Sequence, residues 1–125
     1  MRDLALVIIK DAGDLQPLWL GLKVKVVAGD KVVAIGNPLA GGKGVLRHVA
    51  TDGIASNAAQ LLNVHKRQSR IQTTANVSPG SNGGPLLNMR GEVIGVIAAK
   101  IDAAQAGFAI PISDIAKFLE LTDHK

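Results

Sequence analysis

A chain of 125 residues with net charge +4, 47% apolar residues, 2% aromatics and no cysteine has room for one domain with an aliphatic core. That composition excludes disulfides, a thiol nucleophile and thiolate metal sites, and no apolar run approaches the roughly 18 residues of a membrane span. The positive charge gathers only at His65–Arg70 (HKRQSR), which lacks interleaved aromatics and so reads as a solvated loop rather than a nucleic-acid surface.

Leu4 to Ile9 is a continuous, partly β-branched apolar run between Asp3 and Lys10, the pattern of a strand buried on both faces. Asp3 also stands where a signal peptide would have its apolar region, so the chain as written reads as soluble and untargeted. Residues 11–22 (DAGDLQPLWLGL) carry Gly, Pro and Asp at turn spacing and read as a connector that Trp19 anchors. From residue 23 short β-rich pieces are cut by turn signals: VKVV, KVVAIG, VLRHVATDGIAS, RIQTTANV, PLLNM, EVIGVIAAKI and GFAIPI. Many short strands with tight turns predict an all-β antiparallel barrel over residues 23–112. In residues 113–125, Ile115, Phe118 and Leu119 fall at i, i+3 and i+4 behind a capping Ser113, which predicts a short C-terminal helix.

Several motifs carry little. GNPLAGGKG fails the phosphate-loop spacing, with Asn37 where the first glycine belongs and Gly44 after Lys43. His48, His65 and His124 are scattered without carboxylates at ligand spacing, so no metal and no cofactor is expected. His48 and Asp52 with a serine make a triad only by coincidence of common residue types. Asn76-Val77-Ser78 matches a glycosylation acceptor, but nothing in the chain directs secretion. Residues 78–87 (SPGSNGGPLL) are more informative. Gly80, Gly83 and Gly84 surround Ser81 and Asn82, so the backbone is free to turn sharply and aim N–H groups at one point, as an oxyanion site requires. A Gly-rich hairpin with no ligand fits the same letters equally well.

DLALVIIK, VVAGDKVVAIGNPLAG, VATDGIAS, IQTTANVSPGSNGGPLLNMRGEVIGVIAAKI and GFAIPISDIAKFL, taken together and in order, resemble trypsin-like serine proteases of the HtrA/Deg type. The resemblance covers the chain except the connector and the Leu61–Arg70 region. It implies the chymotrypsin-like fold, with two six-stranded Greek-key barrels and an active site between them, and peptide-bond hydrolysis through a serine acyl-enzyme. Residues 1–10 would then be the last strand of a first barrel, and residues 23–112 the second barrel. Asp3 would be the aspartate that orients a histidine, with the backbone amides of Gly80 and Asn82 as the oxyanion hole. The strand Ile97, Ala98, Ala99, Lys100 and Ile101 would pair with an extended peptide or unfolded protein. Gly107, Phe108 and Ala109 would help line the specificity pocket.

The departures from that pattern are as specific as the match. The family's Gly-Asn-Ser-Gly-Gly-Pro is Gly80-Ser81-Asn82-Gly83-Gly84-Pro85 here, so the nucleophile position holds Asn82. A carboxamide cannot be activated as an alkoxide-like nucleophile, and Ser81, one residue away at a tight turn, is a poor substitute. Thr74 replaces the family's aspartate, and no histidine precedes Asp3, which describes either a fragment or a degenerate homologue reduced to the second barrel. Two readings follow: a serine-protease domain inactive as it stands, or a non-catalytic module that holds peptides or assembles through its cleft and edge strands. Residues 3–10, deprived of strand partners, are expected to make a homo-oligomer.

Overall fold

The computed structural model describes residues 3–37, 47–63, 68–78, 80–101 and 106–122. Six antiparallel strands close into a barrel: β1 (Lys31–Gly36), β2 (Val49–Asn63), β3 (Gln68–Thr73), β4 (Pro85–Leu87), β5 (Val93–Ile101) and β6 (Ala106–Pro111), in the spatial order β1-β2-β3-β6-β5-β4. A single helix, α1 (Ile112–Thr122), follows. This is the all-β barrel with a C-terminal helix that the strand pattern predicted, and closure leaves the six-stranded sheet without a long free edge.

Alternation explains how the barrel fills. In β1, Val32 and Ala34 point inward while Lys31 is exposed, the period of two that a half-buried strand imposes. Ala55, Ile71, Leu86, Ile94, Ile97 and Ala109 join them in one aliphatic core. Burial of each large aliphatic side chain contributes roughly 1.5–3 kcal/mol, so this cluster is the main stabilising element. A second cluster forms where α1 packs, with Leu87, Val93, Ile110, Ile112 and Ile115 at its centre and Leu4, Ile35 and Leu119 against it. The helix begins at Ile112, one residue before the expected cap, and Asp114 in its first turn meets Arg70 of β3 at 3.8 Å. That carboxylate also lies at the favourable end of the helix dipole.

Three elements differ from the sequence expectation. Residues 4–9 form no strand, and only Leu4 reaches a cluster, while Val7 and Ile8 are 76% and 82% exposed. An apolar run becomes a strand only when a neighbour satisfies its backbone, and among the described residues no backbone group of residues 3–10 has a hydrogen-bond partner. Val24–Val27 is not a strand either. Val24 and Val26 still pack on the core from alternate positions, and a turn ties this segment to β2 through Gly29 N–H to Ala55 O (2.7 Å) and Ala55 N–H to Asp30 O (2.8 Å). In the other direction, β2 extends through Asn57–Asn63, beyond the expected VATDGIAS piece, with register shifts against β3. Bulges let one long strand bend around a small barrel. Trp19 does not anchor the connector by its ring, which is exposed; its carbonyl accepts from Val93 N–H at 2.9 Å.

Two turns hold the ends of β4. After it, Asn88 accepts at Oδ1 from the Arg90 and Glu92 amides (3.0 and 2.9 Å) and donates from Nδ2 to Glu92 Oε1 (2.9 Å), while Gly91 takes the left-handed conformation at φ 77°. Before it, Gly84 runs so close to β1 that a Cβ there would overlap the Ile35 carbonyl oxygen. Gly84→Ala is therefore expected to cost about 3 kcal/mol or more, read as a lower urea midpoint with unchanged slope. The Asn88 carboxamide and then the Arg90 guanidinium hold the Glu92 carboxyl below its ordinary value. A depressed folded-state value means that this turn's contribution is complete above the ordinary carboxylate range and fades as pH falls through the lowered one. Glu92→Gln should accordingly flatten the acid side of the melting temperature against pH.

Candidate active site

The loop from Ser78 to Gly84 is built on backbone hydrogen bonds. Ser81 N–H donates to Ser78 O (2.9 Å) and Gly84 N–H to Ser81 O (3.0 Å), closing two successive turns with Gly80 and Gly83 at φ 94° and 89°. Glycine alone takes those conformations without strain. The loop is then fastened to β5 from both sides, since Gly83 N–H donates to Ile97 O (2.7 Å) and Ile97 N–H to Gly84 O (2.8 Å). The amides of residues 81, 83 and 84 are thus engaged, whereas those of Gly80 and Asn82 donate to nothing among the described residues. These two are the donors expected for the oxyanion hole.

The side chains of the two central residues part company. Ser81 is 7% exposed, lies against the backbone of Gly36 and receives only a long contact from Ser78 N–H to its Oγ (3.4 Å). Asn82 is exposed and lines an open pocket of about 370 Å³ together with Asp3, Leu4, Ala5, Gly83, Val96, Ile97 and Ala98. Asp3 and Asn82, almost eighty positions apart in sequence, therefore share one cavity, and its remaining walls are aliphatic or backbone.

The other expected site residues divide in the same way. Ile97 is in the core and both its backbone groups facing the loop are engaged, so it offers no free pairing group on that side. β4 ends its pairing at Pro85 opposite Val96, while Ala99, Lys100 and Ile101 pair with β6 on the other side. Among the described residues, the β4-side edge of β5 from Ala98 to Ile101 has no strand beside it. Gly107, Phe108 and Ala109 are buried in β6, and none lines the pocket. Thr74, which stands where the resemblance puts an aspartate, accepts from Ile54 N–H at its own Oγ1 (3.0 Å). His48 is exposed, holds φ 56° and donates its amide to Asn37 Oδ1 (2.8 Å). An exposed imidazole and a buried Ser81 hydroxyl do not make a nucleophile pair. His65, His124 and most of GNPLAGGKG lie outside the described residues. Leu4, Ala5 and Val96 were not expected at the site, because their letters do not differ from those of ordinary core positions.

Comparison with known proteins decides the lineage. The model of the trypsin-like peptidase domain matches residues 1–96. The chain belongs to the trypsin-like peptidase domain family. It is 44% identical over 98% of its length to the putative serine protease HhoA of Synechocystis sp., and 38% identical over 94% to putative protease Do-like 14 of Arabidopsis thaliana. It is 40% identical over 94% of its length to serine protease HTRA1 of Xenopus tropicalis. The chain spans 31%, 28% and 25% of those relatives respectively, so the similarity concerns a part of each. Within the trypsin-like peptidase family, the departures at Ser81 and Asn82 fall on the loop just described.

Because the Ser81 hydroxyl is turned into the barrel wall, a serine-directed fluorophosphonate should leave the chain unmodified by intact mass. An adduct mapped to Ser81 would show that the hydroxyl reaches solvent in an attacking position.

Proposed function

We propose that this chain is an HtrA-like serine endopeptidase domain in which peptide-bond hydrolysis, the ancestral reaction, is absent as the chain stands. The observation that carries this is Asn82, which among the described residues of the loop presents its side chain with Asp3 to one pocket while its own amide and that of Gly80 donate to no described residue. The shape of an oxyanion site supports binding of a carbonyl oxygen. The carboxamide at the attacking position supplies no nucleophile, and among the described residues no imidazole is bonded to Asp3. Ser81, the neighbouring hydroxyl, is buried and does not line the pocket.

A second reading, peptide binding without turnover, is favoured by the open edge of β5 from Ala98 to Ile101. Such an edge takes an extended peptide by adding one strand, with affinity from main-chain hydrogen bonds. An unfolded protein offers the same chemistry in many places, so extended or unfolded polypeptide is the partner class proposed.

Incubation with a fluorophore-labelled denatured protein should give saturable anisotropy and no new fragments by mass spectrometry. Asn82→Ser restores a hydroxyl but no base, so it too should bind without cutting. Fragments from the unaltered chain would overturn the inactive reading; absence of saturable binding would overturn the peptide-holding one.

A further inference from the structure

Asn82 is followed by Gly83. An asparagine before a glycine is the arrangement in which a backbone nitrogen most readily attacks a carboxamide, because the following residue has no side chain to obstruct the approach. The other described asparagines are protected in different ways. Asn37 accepts at Oδ1 from the His48 amide (2.8 Å) and precedes Pro38, whose nitrogen carries no proton. Asn57 and Asn88 use both ends of their carboxamides, Asn57 with Ala59 N–H and Gln60 Oε1, Asn88 with the Arg90 and Glu92 amides and Glu92 Oε1. Asn63 and Asn76 precede the β-branched Val64 and Val77. Asn82 is exposed, and among the described residues no hydrogen bond uses its carboxamide.

The attacking nitrogen, by contrast, is held. Gly83 N–H donates to Ile97 O at 2.7 Å, and Gly83 sits at φ 89° inside a closed turn. To bond with Asn82 Cγ, that nitrogen must give up its proton and leave the Ile97 carbonyl. A hydrogen bond engaged in the folded state opens only by local fluctuation. The contact that fastens the loop to β5 therefore also restrains the labile pair.

We propose that Asn82 is a deamidation site gated by the Gly83–Ile97 hydrogen bond. The Gly83 nitrogen bonds to Cγ of Asn82, the Cγ–Nδ2 bond breaks, and Nδ2 leaves as ammonia with the proton that Gly83 gave up. Water then opens the cyclic imide at either carbonyl, leaving aspartate at position 82 or isoaspartate, whose backbone is longer by one carbon. Asn82 and Asp3 line the same pocket, so the aspartate product gives that pocket a second carboxylate. The isoaspartate product also displaces Gly83 from Ile97 and opens the clasp. The step needs neither a nucleophilic hydroxyl nor an imidazole, so it stands whether or not the chain cuts or holds polypeptide.

The full chain, incubated folded at mildly alkaline pH, should slowly gain one mass unit, placed at residue 82 by peptide mapping, with isoaspartate among the products. The same incubation in concentrated guanidinium chloride, where the clasp is gone, should run about tenfold faster. Asn82→Gln, which would have to close a larger ring, should gain no mass at residue 82 over the same time. Asn82→Asp, which keeps the backbone path, should melt with the unaltered chain, whereas the purified isoaspartate form should melt lower. Equal rates in the folded and unfolded chain, earlier modification at Asn37, Asn57, Asn76 or Asn88, or no gain at residue 82 in either state would each overturn the proposal.

Discussion

The exchange of backbone hydrogen bonds between Ile97 and the Gly83-Gly84 pair is the constraint on which the site depends. It continues the β4–β5 ladder back past Pro85, the first residue of β4, so the loop is held as an extension of the barrel wall rather than as a free connection. Gly84 permits it by coming against the Ile35 carbonyl where no side chain fits. With three of the loop's amides engaged, the Gly80 and Asn82 amides are left without a partner among the described residues by the backbone path, not by the identity of any side chain. Aliphatic packing supplies the stability of the barrel, but this clasp decides what the barrel presents.

The aliphatic core and the clasp meet at one residue. Ile97 buries its side chain in the barrel, lines the pocket and holds the loop with its backbone. Packing errors at the core would therefore be transmitted to the pocket without an intervening mobile part. The same arrangement sets where β5 becomes available, since its free edge starts at the first residue past the clasp. Asp3 reaches the pocket by a much lighter tether, through Leu4 against the cluster beneath α1.

Much of this was legible in the letters. The short β-rich pieces cut by turn signals gave the barrel, KVVAIG becoming β1 and EVIGVIAAKI becoming β5, and the Ile115–Leu119 spacing gave α1. The order of motifs placed Asp3 and Asn82 together before any geometry was known. What was not legible depended on neighbours far away in sequence. An apolar run such as Leu4–Ile9 reads the same whether another strand covers it or not. Val24–Val27 alternates correctly but meets no ladder, and its contribution is packing alone. The direction of Ser81 required the left-handed turn at Gly80, and the loss of Ile97 as a pairing residue required the clasp.

The exposed carboxamide of Asn82 has a consequence for how this domain tolerates change. Its side chain is exposed, and among the described residues no hydrogen bond uses either that side chain or its amide. Foldability and chemistry are thus decoupled at position 82. A chain is free to exchange a nucleophile for an inert residue there, or the reverse, while passing every quality check that acts on unfolded protein. Position 81, one step away, is inside those checks. Adjacent letters in the sequence accordingly answer to different pressures, one set by the barrel and the other by whatever enters the pocket.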